Sequence, residues 1–330
     1  MAPTPPTNLS ILDDILRVLR EGRTFCLSGH QNPDADVVGS ELAMASLIER
    51  LGPGKKIDIA NFGQPPKSLS FLSGFRSVQN VDRVEGTYDA VIVFECSGQD
   101  RMGNIIDLKK QAKNVINIDH HLHNPNFGTI NFVEPTTSST AELIFKIFDR
   151  SGLSLTKAEA VCLFSGLTAD TGWFRYGNTN TQTLEIAAKL LSAGVPVADL
   201  SERLYMSRTT AAMKLLGWCL TNMRLFHSDR VAVLTIPSDI YEKMGAGPDD
   251  VEEIVNHGLK IESVVASMLL KEKKDQNLIK VSLRSKGDVD INRVARVFGG
   301  GGHKNASGLS FQGTLEEAEK KILAELVHVI

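Results

Sequence analysis

Five clusters carry the residues of this 330-residue chain that could do chemistry. His30, Asp34 and Asp36 fall within seven residues, HQNPDAD, straight after the apolar run FCLSG (25–29). Glu95 ends the apolar run YDAVIVFEC (88–96), and Arg101 follows six residues later. Asp119, His120 and His121 end a third run, NVINIDHH (114–121). Asp170 lies in GLTADTGWF, after a helical pattern at 156–168. An acid that ends a buried strand must be paired or bound to a metal, because a bare buried charge is too costly. Neighbouring side chains at a strand end point different ways, so one imidazole can ligate while the next faces substrate. His30, Asp34, Asp36, Glu95, His120 and Asp170 are six nitrogen or oxygen ligands with no sulfur among them. They suit two divalent cations that share a carboxylate, Mn²⁺ best, with Mg²⁺, Co²⁺ or Fe²⁺ as alternatives. Two such ions, about 3.5–4 Å apart, can clamp a phosphoryl group during in-line attack. Four acids against two dications leave the site near neutral, so an anionic phosphate can enter.

The fifth cluster is Phe298 to Gly308, FGGGGHKNASG. Consecutive glycines let the backbone approach a ligand and aim N–H groups at an anion. Gly300, Gly301, Gly302 and His303, with Arg284 and Ser285 of SLRSKG, form a candidate phosphate or nucleotide clamp. Arginine suits bidentate phosphate contact. His123 reads as an exposed loop histidine.

The elements that must position these residues follow from periodicity. Apolar positions at helical spacing fill 37–51, and Gly52 and Pro53 end that helix. KIDIANF (56–62) reads as a strand, and the runs at 88–96 and 114–121 as strands buried on both faces. Helical patterns follow at 139–150 and 156–168. The fold class is therefore α/β, a mostly parallel sheet with helices on both faces. Residues 181–225 look all-helical. From residue 230 the rhythm changes to strands at 230–236, 261–273 and 277–285, expected antiparallel, with helices at 239–256, 290–298 and 315–328. That is a smaller α+β domain. The expected division is 1–195, a helical linker at 196–225, and 226–330. KEKKDQ (271–276) reads as a solvated hairpin tip.

Composition excludes whole classes of function. Apolar residues are 42% and charged residues 23%, and the net charge is −3. This is ordinary globular usage, without the bulk positive charge that coats long nucleic acid. No run approaches the roughly 18 apolar residues of a membrane span. MAPTPPTNLS lacks a basic and an apolar region, so it reads as a frayed tail rather than a secretory signal. Cys26, Cys96, Cys162 and Cys219 form no C-x-x-C pair and read as buried free thiols of a cytoplasmic protein. Aromatic residues are only 6%, few for a nuclease that stacks long single strands. The apolar segment 184–220 offers either a homodimer seam or an interdomain helix.

In order along the chain, HQNPDAD (30–36), ECSGQDR (95–101), DHH (119–121), GLTADTG (166–172) and GGGHKNASG (300–308) resemble the motifs of the DHH phosphoesterase superfamily. The last string is similar to the GGGH motif of the DHH-associated domain. Together they span residues 30–308. The length resembles the compact NrnA-like branch, oligoribonucleases and adenosine 3′,5′-bisphosphate phosphatases. The resemblance implies that His30, Asp34 and Glu95 hold one ion, and Asp36, Glu95, His120 and Asp170 the other. It implies a catalytic set of Asp119, His121 and Arg101, in which His121 contacts the scissile phosphate and can donate a proton. It implies substrate binding by Arg284, Ser285, Gly300, Gly301, Gly302 and His303. The family commonly has Asp where this chain has Glu95, which keeps the carboxylate one methylene further out. The implied substrates are short RNA, cut to 5′-mononucleotides, and adenosine 3′,5′-bisphosphate. A phosphodiesterase for cyclic or linear dinucleotides (c-di-AMP or pApA) is the alternative within the enzyme class. A non-catalytic nucleotide-binding regulator is the alternative outside it, and it should lack ligands that are all present here.

Overall fold

The computed structural model of the chain describes residues 8–251 and 253–330. They form two compact units, one ending at Met206 and the other starting at Ser207. The boundary falls inside the segment 196–225 that the sequence offers as a linker.

The first unit is built on six strands: β1 Thr24–Ser28, β2 Lys56–Asn61, β3 Val78–Asn80, β4 Tyr88–Phe94, β5 Ala112–Asp119 and β6 Ile130–Val133. They pair in the order β3-β2-β1-β4-β5-β6, all parallel. The helices are α1 Asn8–Glu21, α2 Ala35–Leu51, α3 Leu108–Gln111, α4 Thr140–Ser151, α5 Lys157–Asp170, α6 Thr181–Ser192 and α7 Val197–Ser201. Strand alternation divides the core. Phe25, Leu27, Ile92, Phe94, Ile116 and Ile118 face one layer, packed with apolar residues of α1, α2, α4, α5 and α6. Cys26, Val91, Val93 and Val115 face the other, covered by Met102, Ile105 and Leu108 of α3 and its flanking loops. The sequence gives no strand at 130–133 and no helix before residue 25. α1 nonetheless buries Leu12, Ile15, Leu16 and Leu19, a helical stripe. The frayed-tail reading of residues 1–10 therefore fails from Asn8 onward, and residues 1–7 lie outside the described residues.

α2 and α5 lie against each other in opposite directions. A Cβ on Gly39 of α2 would come 2.3 Å from the Cys162 carbonyl oxygen, and one on Gly166 of α5 would come 2.5 Å from Asp36 Oδ1. Only glycine permits so close a crossing. Arg50, near the end of α2, is bonded to the buried Glu159 of α5 at 2.7 Å, and Ser46 donates to the same carboxylate at 2.6 Å. Glu159 also completes a capping box with Thr156 at the start of α5. The clasp at one end fixes which residues meet at the other, namely Asp36 and Asp170.

The second unit carries α8 Thr210–Thr221, β7 Arg224–Phe226, β8 Val231–Ile236, α9 Ser238–Lys243, α10 Ile254–Gly258, β9 Ala266–Lys273, β10 Leu278–Ser285, α11 Ile291–Val297, β11 Gly301–His303, β12 Ala306–Gln312 and α12 Leu315–Leu326. The sheet order is β11-β12-β10-β9-β8-β7. β8 and β9 pair in parallel, a correction to the antiparallel reading; the other pairs are antiparallel. The connection from 237 to 265 is long enough for the crossover that a parallel pair needs. The helix expected at 239–256 is broken into α9 and α10, where Gly245, Gly247 and Pro248 interrupt it. Of KEKKDQ, only Lys274–Gln276 form the exposed β9–β10 hairpin tip; 271–273 belong to β9, and Lys271 packs over the Tyr241 ring. One sheet face packs on α11 and α12, the other on α8 and α10. The four cysteines are free, and all are buried.

Gly39→Ala should lower the stability of the first unit by about 1–3 kcal/mol in urea unfolding, the usual cost of overpacking. Gly217→Ala is the control. It lies exposed within α8 with nothing within 4 Å of an added Cβ, and should raise stability by about 0.5–1 kcal/mol.

Candidate active site

In a parallel sheet whose strand order runs outward both ways from β1 and β4, the crevice at their carboxyl ends is the natural ligand site. His30 and Asp34 follow β1, Glu95 follows β4, Asp119 ends β5, and His120 and His121 follow it. Asp170 is the last residue of α5 rather than a loop residue after it. Ligand atoms of Asp36, Glu95, His120 and Asp170 all lie within 4.8 Å of one another, as do those of His30, Asp34 and Glu95. Glu95 is common to both groups. Its backbone is left-handed, φ 55, where the chain turns off β4. Such a conformation in a non-glycine residue persists only when its surroundings enforce it.

Of these candidate ligands, His30, Asp34 and Asp36 are braced by backbone groups, whereas Glu95 and Asp170 meet His120. Asp34 is the N-cap of α2: its extended backbone lets Oδ1 accept from the amides of Asp36 and Val37. Its other oxygen lies 3.7 Å from His30 Nε2. Asp36, fully buried in the first turn, accepts from the amides of Thr140 and Ala141 at 2.6 and 2.8 Å. The positive end of α4 thus grips its carboxylate. His30 Nδ1 donates to the Gln31 carbonyl at 2.9 Å, which leaves Nε2 facing Asp34. His120 Nε2 lies 3.0 Å from Asp170 Oδ2 and 3.8 Å from Glu95 Oε1. His121 turns the other way, and its Nδ1 is 2.7 Å from Asp119 Oδ1. Asp119 is buried and also accepts from Asn124 Nδ2 at 2.6 Å.

Electrostatics sharpen the picture. Burial, then the nearby charge of Asp170, pushes Asp36 up to about 8. Burial, then Asp34, Asp170 and Asp36, holds Glu95 well above the usual carboxylate range. Among the described residues no Lys or Arg pairs with any of the six groups, and Glu95 Oε2 is buried without a hydrogen-bond partner. Four carboxylates and two imidazoles, with no Lys or Arg among them and one acid shared, fit two hard or borderline divalent cations. Asp119 behaves oppositely: burial opposes its charge, but His121 and Asn124 outweigh that and keep it below the usual range.

The chain matches the model of the DHH family N-terminal domain over residues 24–167 and that of the DHHA1 domain over 229–330. The bifunctional oligoribonuclease and PAP phosphatase NrnA of Bacillus subtilis is 30% identical over 95% of this chain and 96% of its own length. This protein belongs to the DHH phosphoesterase family. Its backbone is similar to the crystal structure of an exopolyphosphatase-related protein from Bacteroides fragilis, with a TM-score of 0.90, 28% identity, and 99% and 98% of the two chains covered. The cyclic-di-AMP phosphodiesterase PdeA of Listeria monocytogenes is 26% identical over 90% of this chain but 46% of its own length. As a DHH phosphoesterase the chain is a metal-dependent hydrolase, and the acidic centre sits where such chemistry needs it.

Other residues singled out by sequence have different surroundings. Arg101 is exposed, and its side chain makes no hydrogen bond or ion pair among the described residues; its carbonyl accepts from the Gln31 amide. In the second unit Arg284 is half-buried on β10, and His303 is exposed at the β11–β12 turn. Ser285 donates to the Val289 carbonyl at 2.6 Å and accepts from Asn305 at 2.8 Å, so its hydroxyl pins a turn. A Cβ on Gly300 would meet the Gly308 carbonyl at 2.3 Å, and one on Gly302 the Ala306 carbonyl at 2.4 Å. Those two glycines answer to strand packing, whereas at Gly301 nothing comes closer than 4.0 Å.

Sequence reading missed the supporting residues. Asn61 accepts from the Gly29 amide at 2.8 Å and donates to the buried Glu41 at 3.0 Å, bracing the turn that bears His30. Asn124 braces Asp119, and its closeness to the DHH triplet was the one available signal.

A raised carboxylate pKa in the folded state means stability that is complete below the unfolded value near 4 and lost as pH climbs through the folded value. Asp36 sets that window from roughly pH 4 to pH 8. Metal-free protein should therefore melt at a lower temperature at pH 8.5 than at pH 5.5, and saturating Mn²⁺ should raise the pH 8.5 melt most. Calorimetry in chelator and in metal checks both; a metal-free melt that rises with pH would contradict this electrostatic account.

Proposed function

We propose that this protein is a two-metal phosphoesterase that hydrolyses short oligoribonucleotides to 5′-mononucleotides and removes the 3′-phosphate of adenosine 3′,5′-bisphosphate. The observation that carries the reading is the pair of ligand groups joined at Glu95. It is supported by the end-to-end match to a relative named for those two activities.

His30, Asp34 and Glu95 hold one cation, and Asp36, Glu95, His120 and Asp170 the other. Mn²⁺ suits this donor set best, with Mg²⁺, Co²⁺ or Fe²⁺ able to serve. When bound, the ions supply Lewis-acid polarisation of the phosphoryl oxygens and activation of water. The rest is the work of side chains. With Nδ1 held by Asp119, His121 directs Nε2 at the scissile phosphate and supplies a proton to the leaving oxygen. Arg101 neutralises substrate phosphate. In the second unit Arg284, His303 and the backbone of Gly300–Gly302 hold a terminal phosphate, and Ser285 acts through the turn it pins.

The second reading, a phosphodiesterase for pApA or cyclic dinucleotides, draws on the match to the PdeA relative over 90% of this chain. Relative rates on pApA, mixed dinucleotides and adenosine 3′,5′-bisphosphate separate the two. The working form is read as a cytoplasmic homodimer. Leu184, Leu191, Met213 and Leu220 are exposed along the apolar segment, and solution mass decides whether they pair two copies.

Protein loaded with Mn²⁺ should release mononucleotide from a 5′-labelled ribodinucleotide. Asp170→Asn should lose both metal uptake and turnover. His121→Gln should keep its metal and lose about 10²–10⁴-fold in kcat. No release by protein of verified metal content sinks the reading.

A further inference from the structure

The chain has twenty aromatic residues, and only Phe62 and Tyr176 are exposed. Both sit on loops connected to those that carry residues of the acidic centre. Phe62 follows β2; its carbonyl accepts from the Asn32 amide at 2.8 Å, inside the loop between His30 and Asp34. Tyr176 lies six residues beyond Asp170 and two before Asn178, which donates to the Asp170 carbonyl at 3.1 Å and to the Ser138 carbonyl at 2.9 Å.

The two rings are seated alike. Phe62 rests on Gly103, where a Cβ would come 2.6 Å from the ring, and Tyr176 rests on Gly172, where one would come 2.3 Å from it. Both glycines are left-handed, φ 80 and 55. Each ring also has an arginine close by in sequence to its glycine. Arg101 lies two residues before Gly103. Arg175 lies three after Gly172 and donates Nε to the Gly172 carbonyl at 2.5 Å. The terminal amino groups of Arg175 make no hydrogen bond among the described residues, and the side chain is exposed.

The chain is strained to present the second pair. Trp173 and Phe174 are consecutive left-handed residues, φ 60 and 62, a conformation that bulky side chains rarely adopt. They turn both rings inward. Phe164 meets Trp173 at 5.9 Å and Phe174 at 6.0 Å, and Tyr205 meets Trp173 at 5.1 Å. Arg175 and Tyr176 are thereby thrown outward, their amides both donating to the Thr171 carbonyl. Strain of this kind persists where surrounding packing enforces it and is concentrated at functional sites.

We propose that Phe62 and Tyr176 are stacking platforms for the two bases on either side of the scissile phosphate, with Arg175 holding a backbone phosphate beside the second. The inference rests on the short-RNA reading above and narrows it to a substrate with two bases. Two single platforms suit two bases; a long strand would want a run of them.

The test is binding of a dinucleotide whose bridging oxygen is replaced by a methylene group, measured on metal-loaded protein. Phe62→Ala and Tyr176→Ala should each raise Kd about tenfold, as loss of one base–aromatic stack does, and the double variant about a hundredfold. Phe62→Tyr and Tyr176→Phe should retain wild-type affinity. With adenosine 3′,5′-bisphosphate, which has one base, only one of the two alanine variants should weaken binding. Unchanged dinucleotide affinity in both alanine variants overturns the proposal, as does equal weakening by both on the one-base ligand. Failure of wild-type protein to cleave the natural dinucleotide would instead count against the function proposed above, and leaves the binding comparison readable.

Discussion

Repulsion among clustered carboxylates, two of them buried, is the constraint around which the first unit is organised. Asp34, Asp36, Glu95 and Asp170 converge without a Lys or Arg partner among the described residues. Two like charges 4 Å apart repel by on the order of 4 kcal/mol at the effective dielectric of a protein surface. Burial adds to that at Asp36 and Glu95. The acids stay together because the frame costs more to distort than the repulsion releases. The α4 amides fix Asp36, and the Arg50–Glu159 clasp and the Gly39 and Gly166 crossing fix α2 against α5. Divalent cations reverse the sign of the whole interaction, and the same geometry that is costly without them becomes the source of their affinity.

The unequal layers of the sheet serve that frame. The thick layer of α1, α2, α4, α5 and α6 delivers Asp36 and Asp170 from helix ends, while β1, β4 and β5 deliver His30, Glu95 and His120 from strand ends. Helix ends and strand ends meet only at the carboxyl edge of a parallel sheet, and at β1 and β4 the chain leaves in opposite directions. Glu95 stands at that divergence, which is why a single carboxylate can face both ligand groups and why its backbone is bent into the left-handed region.

Much of this was legible from the sequence, because the legible features are local. β-branched runs at 88–94 and 112–119 announce buried strands, and an acid or imidazole at the end of each is conspicuous. Helix α1 is hard to read because MAPTPPT, rich in proline, runs directly into its stripe of Leu12, Ile15, Leu16 and Leu19. β6 was missed because INFV is too short to show a period. The parallel β8–β9 pair was misread because strand direction is set by a connection of nearly thirty residues rather than by either strand's composition. The glycines of 299–302 look alike in sequence, yet Gly300 and Gly302 are dictated by strand contact and Gly301 is not.

What stayed hidden was the tier that sets proton positions. His30 and His121 both commit Nδ1, one to the Gln31 carbonyl and the other to Asp119, so each presents Nε2 to the centre or its rim. Neighbouring histidines on one strand end could exchange roles if nothing fixed them. Asp119, buried and held charged by His121 and Asn124, removes that freedom for His121, while Asp170 and Glu95 draw His120 the other way. The difference in where the two imidazoles point therefore does not reside in the rings, which are chemically identical. It resides in Asn124 and in the amides and carbonyls around it, groups with no signature of their own until folding brings them to the acid they steady.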